Sequence, residues 1–589
     1  MRISEVRPGM KGYGLTVFVG TKIEKFDVEV IGISRNMNPQ QDVVLIRTSG
    51  QNLEHTGSVA GMSGSPIFLT DDQGRSHMIG AYAYGWPLSK DPIAGVQPIE
   101  YMLQINPARN PSSTASAAVR PSATPPATTA TWTAAAWQQQ TRNLLAPASL
   151  PAQAEGLTRL ATPIMASGVP AGVVELLAPL FTRNHSLLLQ SGTASGPADA
   201  AAFPDINTAP NMAPVPFAPG GAMVVPVMTG DVNFTALGTI TEVLGDRIFG
   251  FGHPMFSEGS VELPLAGGYV NMIVARITNS FKMGGMTSLA GTLHADEQSG
   301  VAGLLGKSPD MIPIEVNLVY ADGSLARTYH FQAIRHRELT AAMGGAALMV
   351  SAASVKQLPP DAILSHDIEL TFAGDRKVKV SNLAPGDQQV LLMLDAMGPI
   401  VASMNNPFER IDLQKMTATV RVTPGAKPSE LRRVVADKAL YRPGETVNLD
   451  VILRQYHGGE RLVQVAVPLP KTLPDGTHTI TVADAESYLS SEMTRRPDLF
   501  TATNATDVLK IVELTSVPQR DHLFATLALP GTGVSLGRVG LQHIPASKRM
   551  LILRQPRSDT GQTSYATTTQ TPAGGFVRGS MDVTVNVKR

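Results

Sequence analysis

A serine set between glycines, in GMSGSPI at 61–67, and a histidine behind a glycine, in GDRIFGFGHPMF at 245–256, could together perform acyl-transfer chemistry. A serine hydroxyl is a weak nucleophile until a neighbouring base takes its proton. Its attack also needs backbone N–H groups aimed at the oxyanion that develops, and a glycine two residues earlier lets the backbone present them without a side-chain clash. Ser63 is thus the candidate nucleophile, and the N–H groups of Gly61 and Ser63 the candidate oxyanion hole. The same composition also suits a tight surface turn. A glycine-flanked histidine such as His253 likewise serves in ordinary turns.

Other titratable residues near these motifs have weaker claims. His55 is close to Ser63 in sequence but belongs to the preceding loop. Asp42, Asp91 and Asp246 are the neighbouring carboxylates, and Asp246, seven residues before His253, fits the turn entering that strand. HADEQSG at 294–300 has donor types that could hold a metal, but its spacing matches no ligand pattern and a solvated turn is expected. No metal and no cofactor are expected.

The elements that must position these residues are strands. Through the first hundred residues, LTVFVG, FDVEVIGI, VVLIRTSG, SPIFL and HMIGAYAYGW alternate with turn signals, as in a small antiparallel barrel or sandwich. From Asn106 the composition turns to Pro, Thr, Ser and Ala, a linker with too little apolar surface to order itself. A bridging insertion with a helix at VPAGVVELLAPLF completes 106–215. Strands resume over 216–340, and LTAAMGGAALMVSAASV at 339–355 reads as a buried helix, since its small side chains gain little from lipid. A β-rich module at 356–430 follows. A module at 431–589, with alternation on both sides of a glycine turn, reads as an immunoglobulin-like sandwich.

Composition narrows the function classes. The 589 residues carry 48 basic and 48 acidic side chains, so no global field favours nucleic acid. The absence of cysteine removes disulfides, thiolate metal sites and cysteine catalysis. No stretch is apolar enough for a transmembrane span.

GMSGSPI, preceded by EHTGSVA and followed by HMIGAYAYGWPLSKDPIAGVQPIEYML, resembles the serine half of the SpoIVB peptidase family, and the likeness extends back through EKFDVEVIGI to cover about residues 8–103. The flanks of His253 resemble that family's histidine motif. AGTLHADEQSGVAGLLG and IPIEVNLVYADGSLARTYHFQAI resemble the segment between its histidine and serine. The resemblance implies a chymotrypsin-like double β-barrel and a serine endopeptidase, with His253 as general base and acid. It departs from the family in order, because His253 here follows Ser63 by 190 residues, as in a circular permutation. Triads are set by geometry and not by chain order. It departs also in the third member: where the family has an aspartate, this chain has Ser49, beside Thr48, and a hydroxyl supplies no full negative charge.

In chymotrypsin-like barrels the residues just before the serine line the primary pocket. Here they read TGSVA, without charge, which favours a small or apolar substrate side chain over Lys or Arg. Tyr82, Tyr84 and Trp86, in the next strand and its exit, are the candidate substrate-binding wall, with core packing as their competing role. The expected partners are protein or peptide substrates, the chain itself among them. Action outside the cytosol, in the periplasm or cell envelope, is expected from the family, with any leader absent from these residues and a cytoplasmic place as the alternative. The competing reading is a protease-derived scaffold or binding protein whose missing aspartate has left it weak or inactive.

Overall fold

The computed structural model describes residues 1–86, 88–107, 132–147, 156–192, 217–320, 326–353, 361–425, 427–541, 544–554 and 560–589. Of the stretch expected as a linker, 106 to about 140, residues 108–131 lie outside them, while its end is ordered as the strand Trp132–Thr133 and the helix Ala134–Leu145, with Trp137 buried. The chain is mainly β, with a closed six-stranded barrel and other curled sheets. It divides into two compact units: Met1–Ala123, Leu144–Ile312 and His330–Leu339 form the first, and Thr124–Asn143, Pro313–Tyr329 and Thr340–Arg589 the second.

The first unit begins with β1 (Lys11–Val17), β2 (Ile23–Asn38), β3 (Gln41–Ser49), β4 (Val59–Ala60), β5 (Pro66–Thr70), β6 (Ser76–Gly85) and β7 (Ile93–Pro98). Six of these pair in the order β5-β1-β2-β3-β7-β6, and β5 pairs back onto β6. The period-2 pattern of β2 turns Phe26, Val28 and Val30 inward, where they meet Ile46, Ile67, Leu69, Tyr82 and Val96 in one core. Burial of each such side chain stabilises the barrel by about 1.5–3 kcal/mol.

A short strand, β8 (Trp132–Thr133), belongs with the second unit. The first unit continues with β9 (Thr158–Arg159), β10 (Thr162–Ser167) and β11 (Ser186–Ser191). The helix expected at VPAGVVELLAPLF is present at Ala171–Arg183, after Pro170. It buries Val173, Val174, Leu177, Leu180 and Phe181 on one face and crosses over between the parallel strands β10 and β11. Residues 158–191 of the expected insertion are therefore built into the first unit's sheets, with β9 on β6 and β10 on the strand at 233–244.

The remaining strands of this unit are β12 (Ala222–Gly230), β13 (Asn233–Leu244), β14 (Arg247–Gly250), β15 (Gly259–Val274), β16 (Ser280–Glu297) and β17 (Gly300–Leu305). They pair as β13-β14-β17-β16-β15-β12, and β12 returns to β13. Repeated register shifts between the long strands β15 and β16 supply the bending that this curl needs.

The second unit has antiparallel strands at Ile363–Phe372, Arg376–Pro385 and Leu413–Thr423. Two further curled sheets share a core in which Val447, Leu449, Val451 and Val467 of one meet Ile480, Val482, Leu523 and Leu527 of the other. The expected buried helix spans Leu339–Ala353. Among the described residues no helix is long and apolar enough to cross a membrane.

A buried ion cluster ties this unit together. Asp395, on the helix Val390–Met404, receives two hydrogen bonds from Arg520, at 2.6 and 2.8 Å, and lies 2.9 Å from His366 Nε2. Burial resists ionisation of Asp395, but the Arg520 charge and the hydrogen bonds outweigh it and hold the pKa at about 2. Removing one partner of such a cluster leaves the others buried and uncompensated. Asp395→Ala is expected to destabilise the second unit by about 3–5 kcal/mol, read as a lower urea midpoint at unchanged slope.

Candidate active site

The serine turn is shaped by two glycines in the left-handed region, Gly61 at φ +94° and Gly64 at φ +96°. Gly64 also faces a close backbone approach: a Cβ there would lie 2.0 Å from the Thr239 carbonyl oxygen. The turn is tied to β6 by two main-chain bonds, Gly64 N–H to the Tyr82 carbonyl at 2.8 Å and Tyr82 N–H to the Ser65 carbonyl at 2.9 Å. It is tied to β13 by three. Thr239 N–H donates to the Ser63 carbonyl at 2.8 Å, Thr239 Oγ1 to the Gly61 carbonyl at 3.0 Å, and Thr241 Oγ1 to the Gly64 carbonyl at 2.7 Å. Outside the strand ladders neither the Gly61 nor the Ser63 N–H donates a main-chain hydrogen bond among the described residues.

His253 arrives from the other curled sheet. β14 ends in a sharp bend with Phe251 at φ +63° and Gly252 at φ +68°. At Gly252 a Cβ would come within 2.8 Å of Ala81 Cβ, so the missing side chain lets the histidine turn lie against β6. The bend sets His253 Nε2 at 2.8 Å from Ser63 Oγ and His253 Nδ1 at 2.9 Å from the Pro254 carbonyl. A carbonyl only accepts, so Nδ1 carries the proton. Nε2 is then the lone-pair nitrogen, ready to take the Ser63 proton.

Among the described residues no carboxylate hydrogen-bonds the imidazole. The residue expected there, Ser49, ends β3 opposite Asp27, while Nδ1 takes the Pro254 carbonyl instead. Thr48 donates to the Pro92 carbonyl. Asp42 binds Arg35 and the Asn36 N–H, and the Asp246 carbonyl pairs with Leu305 N–H. A carboxylate does act one step away. Asp296, buried within β16, accepts from the N–H groups of Met255 and Phe256, each at 2.7 Å, and of Glu258 at 3.4 Å. It therefore grips the loop that carries the Pro254 carbonyl. This residue lies in HADEQSG, which reads from sequence as a solvated turn but is the end of β16; the signal that marks it is an acidic residue beside apolar Leu293 and Ala295 in a continuing strand.

Of the candidate wall, Tyr82 and Tyr84 are core residues, each almost fully buried. The Tyr82 ring stands edge-on to Phe26 with its hydroxyl on Ser58 Oγ, and the Tyr84 hydroxyl donates to Gln97 Oε1. Only Trp86 lines the adjoining cleft, of about 60 Å³, together with Ser58, Ala60, Arg159 and Leu160. Among the described residues no group of acidic or imidazole side chains could hold a metal ion.

A buried lysine lies behind the serine turn. Lys282 Nζ donates to Thr16 Oγ1 at 2.6 Å and reaches Thr239 Oγ1 at 3.5 Å, and burial pushes its pKa down to about 7. Its sequence signal is weak, a lysine between Phe281 and Met283 in NSFKMGG.

No family description, curated protein or solved structure matches the chain.

Burial is the main cause that lowers the His253 pKa to about 4; the Arg159 and His185 charges add to it, and the Pro254 carbonyl opposes it. His253 is thus the neutral base at any physiological pH. The unfolded chain, with an ordinary histidine pKa of about 6.5, binds the proton that the folded state refuses. The contribution of His253 to stability is therefore full above pH ~6.5 and is lost as pH drops toward ~4. His336, also held at about 4 by burial, acts in the same window. Urea titrations across this range should show a shallower fall for His253→Gln than for the unaltered protein.

Proposed function

We propose that the chain is a serine endopeptidase of the SpoIVB kind, with the two curled sheets of the first unit forming a chymotrypsin-like double β-barrel. One observation carries the reading: the 2.8 Å hydrogen bond from Ser63 to His253 Nε2, between residues 190 apart in sequence. Ser63 attacks the scissile carbonyl while Nε2 accepts its proton. The Gly61 and Ser63 N–H groups receive the oxyanion, and the imidazolium then protonates the leaving amine. The separate serine and histidine segments fit a circularly permuted domain. The shared core of the last two sheets suits an immunoglobulin-like sandwich, and the family likeness favours a place outside the cytosol.

The orienting group differs from an ordinary triad. The Pro254 carbonyl dipole holds the productive tautomer but stabilises the imidazolium less than a carboxylate does. This favours a slow peptidase, and it is also the observation on which the competing binding-protein reading rests.

Purified protein should react with a fluorophosphonate probe at one residue. Ser63→Ala should abolish the labelling and His253→Ala slow it at least ~10³-fold. Labelling that survives Ser63→Ala would refute the assignment, and no labelling under any condition would favour the binding protein.

A further inference from the structure

The second strand after the serine motif, β6, is already paired at its end. Residues Ala83–Gly85, at the end of β6, form the edge against which an extended substrate would lie by main-chain hydrogen bonds in a peptidase of this kind. β9 runs antiparallel along that edge, with Arg159 opposite Tyr84 and Thr158 opposite Gly85. The next residue, Leu160, donates its N–H to the Ala83 carbonyl at 3.0 Å.

The side chains of this segment are seated as well as its backbone. Leu160 is 9% exposed and packs into the cluster that contains Val59, Met62 and Tyr82. A Cβ on Gly85 would meet both Ser58 Oγ, at 2.7 Å, and Leu160 Cδ2, at 3.1 Å. Leu160 therefore fills the space between the stretch just before Ser63 and the end of β6, where a primary substrate side chain would go. Arg159 reaches over the histidine loop: its Nη1 lies 3.5 Å from the Pro254 carbonyl and 3.2 Å from Ser257 Oγ. That carbonyl is the one that orients His253. Ser63 and His253 are each only 1% exposed, which is too closed for a site that must admit a peptide. The cleft left beside Leu160, about 60 Å³, has room for a few water molecules only.

We infer that Thr158–Ala161 occupies the peptide-binding edge of the Ser63 site as a built-in strand. The peptide it keeps out is an extended chain with an aliphatic side chain, like that of Leu160, in the pocket beside Ser58. The inference rests on the peptidase reading for its consequence but not for its geometry. A tethered segment competes at an effective concentration in the millimolar range, so substrate must displace it or the segment must be released. The uncharged TGSVA stretch and the aliphatic Leu160 agree on the pocket's preference.

Two variants loosen the segment to different degrees, Leu160→Asp strongly and Leu160→Ala mildly, each checked for a native far-UV spectrum and cooperative melting. Fluorophosphonate labelling of Ser63 should quicken about 10-fold or more in Leu160→Asp and less in Leu160→Ala. In a Ser63→Ala background, the fluorescent peptide acetyl-Thr-Arg-Leu-Ala should bind the Leu160→Asp protein about 10-fold more tightly than the protein with Leu160 intact. A cut after Leu160 in unaltered protein would also support the seating. Labelling rates within twofold among folded variants, together with peptide binding that is equal or undetectable in both proteins, would overturn the inference. Should no protein label at all, the peptidase reading fails. Occupancy is then decided by the binding pair alone, with tighter binding by the loosened protein supporting it and equal or undetectable binding overturning it.

Discussion

Thr239 is the residue on which the candidate site depends. Its N–H holds the Ser63 carbonyl, its hydroxyl holds the Gly61 carbonyl, and its own carbonyl accepts the Phe251 N–H at the start of the histidine bend. One residue in the middle of β13 thus fixes the serine turn and the histidine turn to the same backbone. A displacement of about 1 Å between such groups is enough to cost ~10²-fold in rate. That explains why Gly64 has no side chain: any Cβ would strike the Thr239 carbonyl and push the two turns apart. Lys282 and Thr16 lie behind this junction and fill it with donors, so the Thr239 hydroxyl is held from both sides.

The electrostatics of the site follow from burial. His253 and Lys282 are both enclosed, and desolvation lowers the proton affinity of each. Asp296 is enclosed too, and burial raises its pKa although several backbone N–H groups pull the other way. Asp296 holds the loop behind the imidazole and does not hydrogen-bond the ring itself. The proton on Nδ1 is fixed by a peptide carbonyl, which sets the tautomer at the expense of charge stabilisation.

The segment between the two halves of the site has a structural role that its composition concealed. β10, the helix Ala171–Arg183 and β11 extend the sheet that carries His253, because β10 pairs with β13. β9 is added to the sheet that carries Ser63. A connection that touches both sheets within ten residues, Thr158 to Ser167, limits how far the serine and histidine turns can separate.

Much of this was determined by the sequence alone. Alternation of apolar residues predicts the strands, since a period of two allows one face of each to be buried. The proline-led helix at 171–183 and the small-residue helix at 339–353 are legible for the same local reason. The glycines around Ser63 and His253 mark turns that leave no room for side chains at Gly64 and Gly252. The tertiary structure decided what depends on distant backbone. It set Ser63 and His253 at hydrogen-bond distance, gave Nδ1 to Pro254 and not to Ser49, turned Tyr82 and Tyr84 into the core, and laid Leu160 along β6. A strand pattern states which face is buried but not which edge another segment will cover. Partners for such an edge come from residues dozens to hundreds of positions away, and no local periodicity records them.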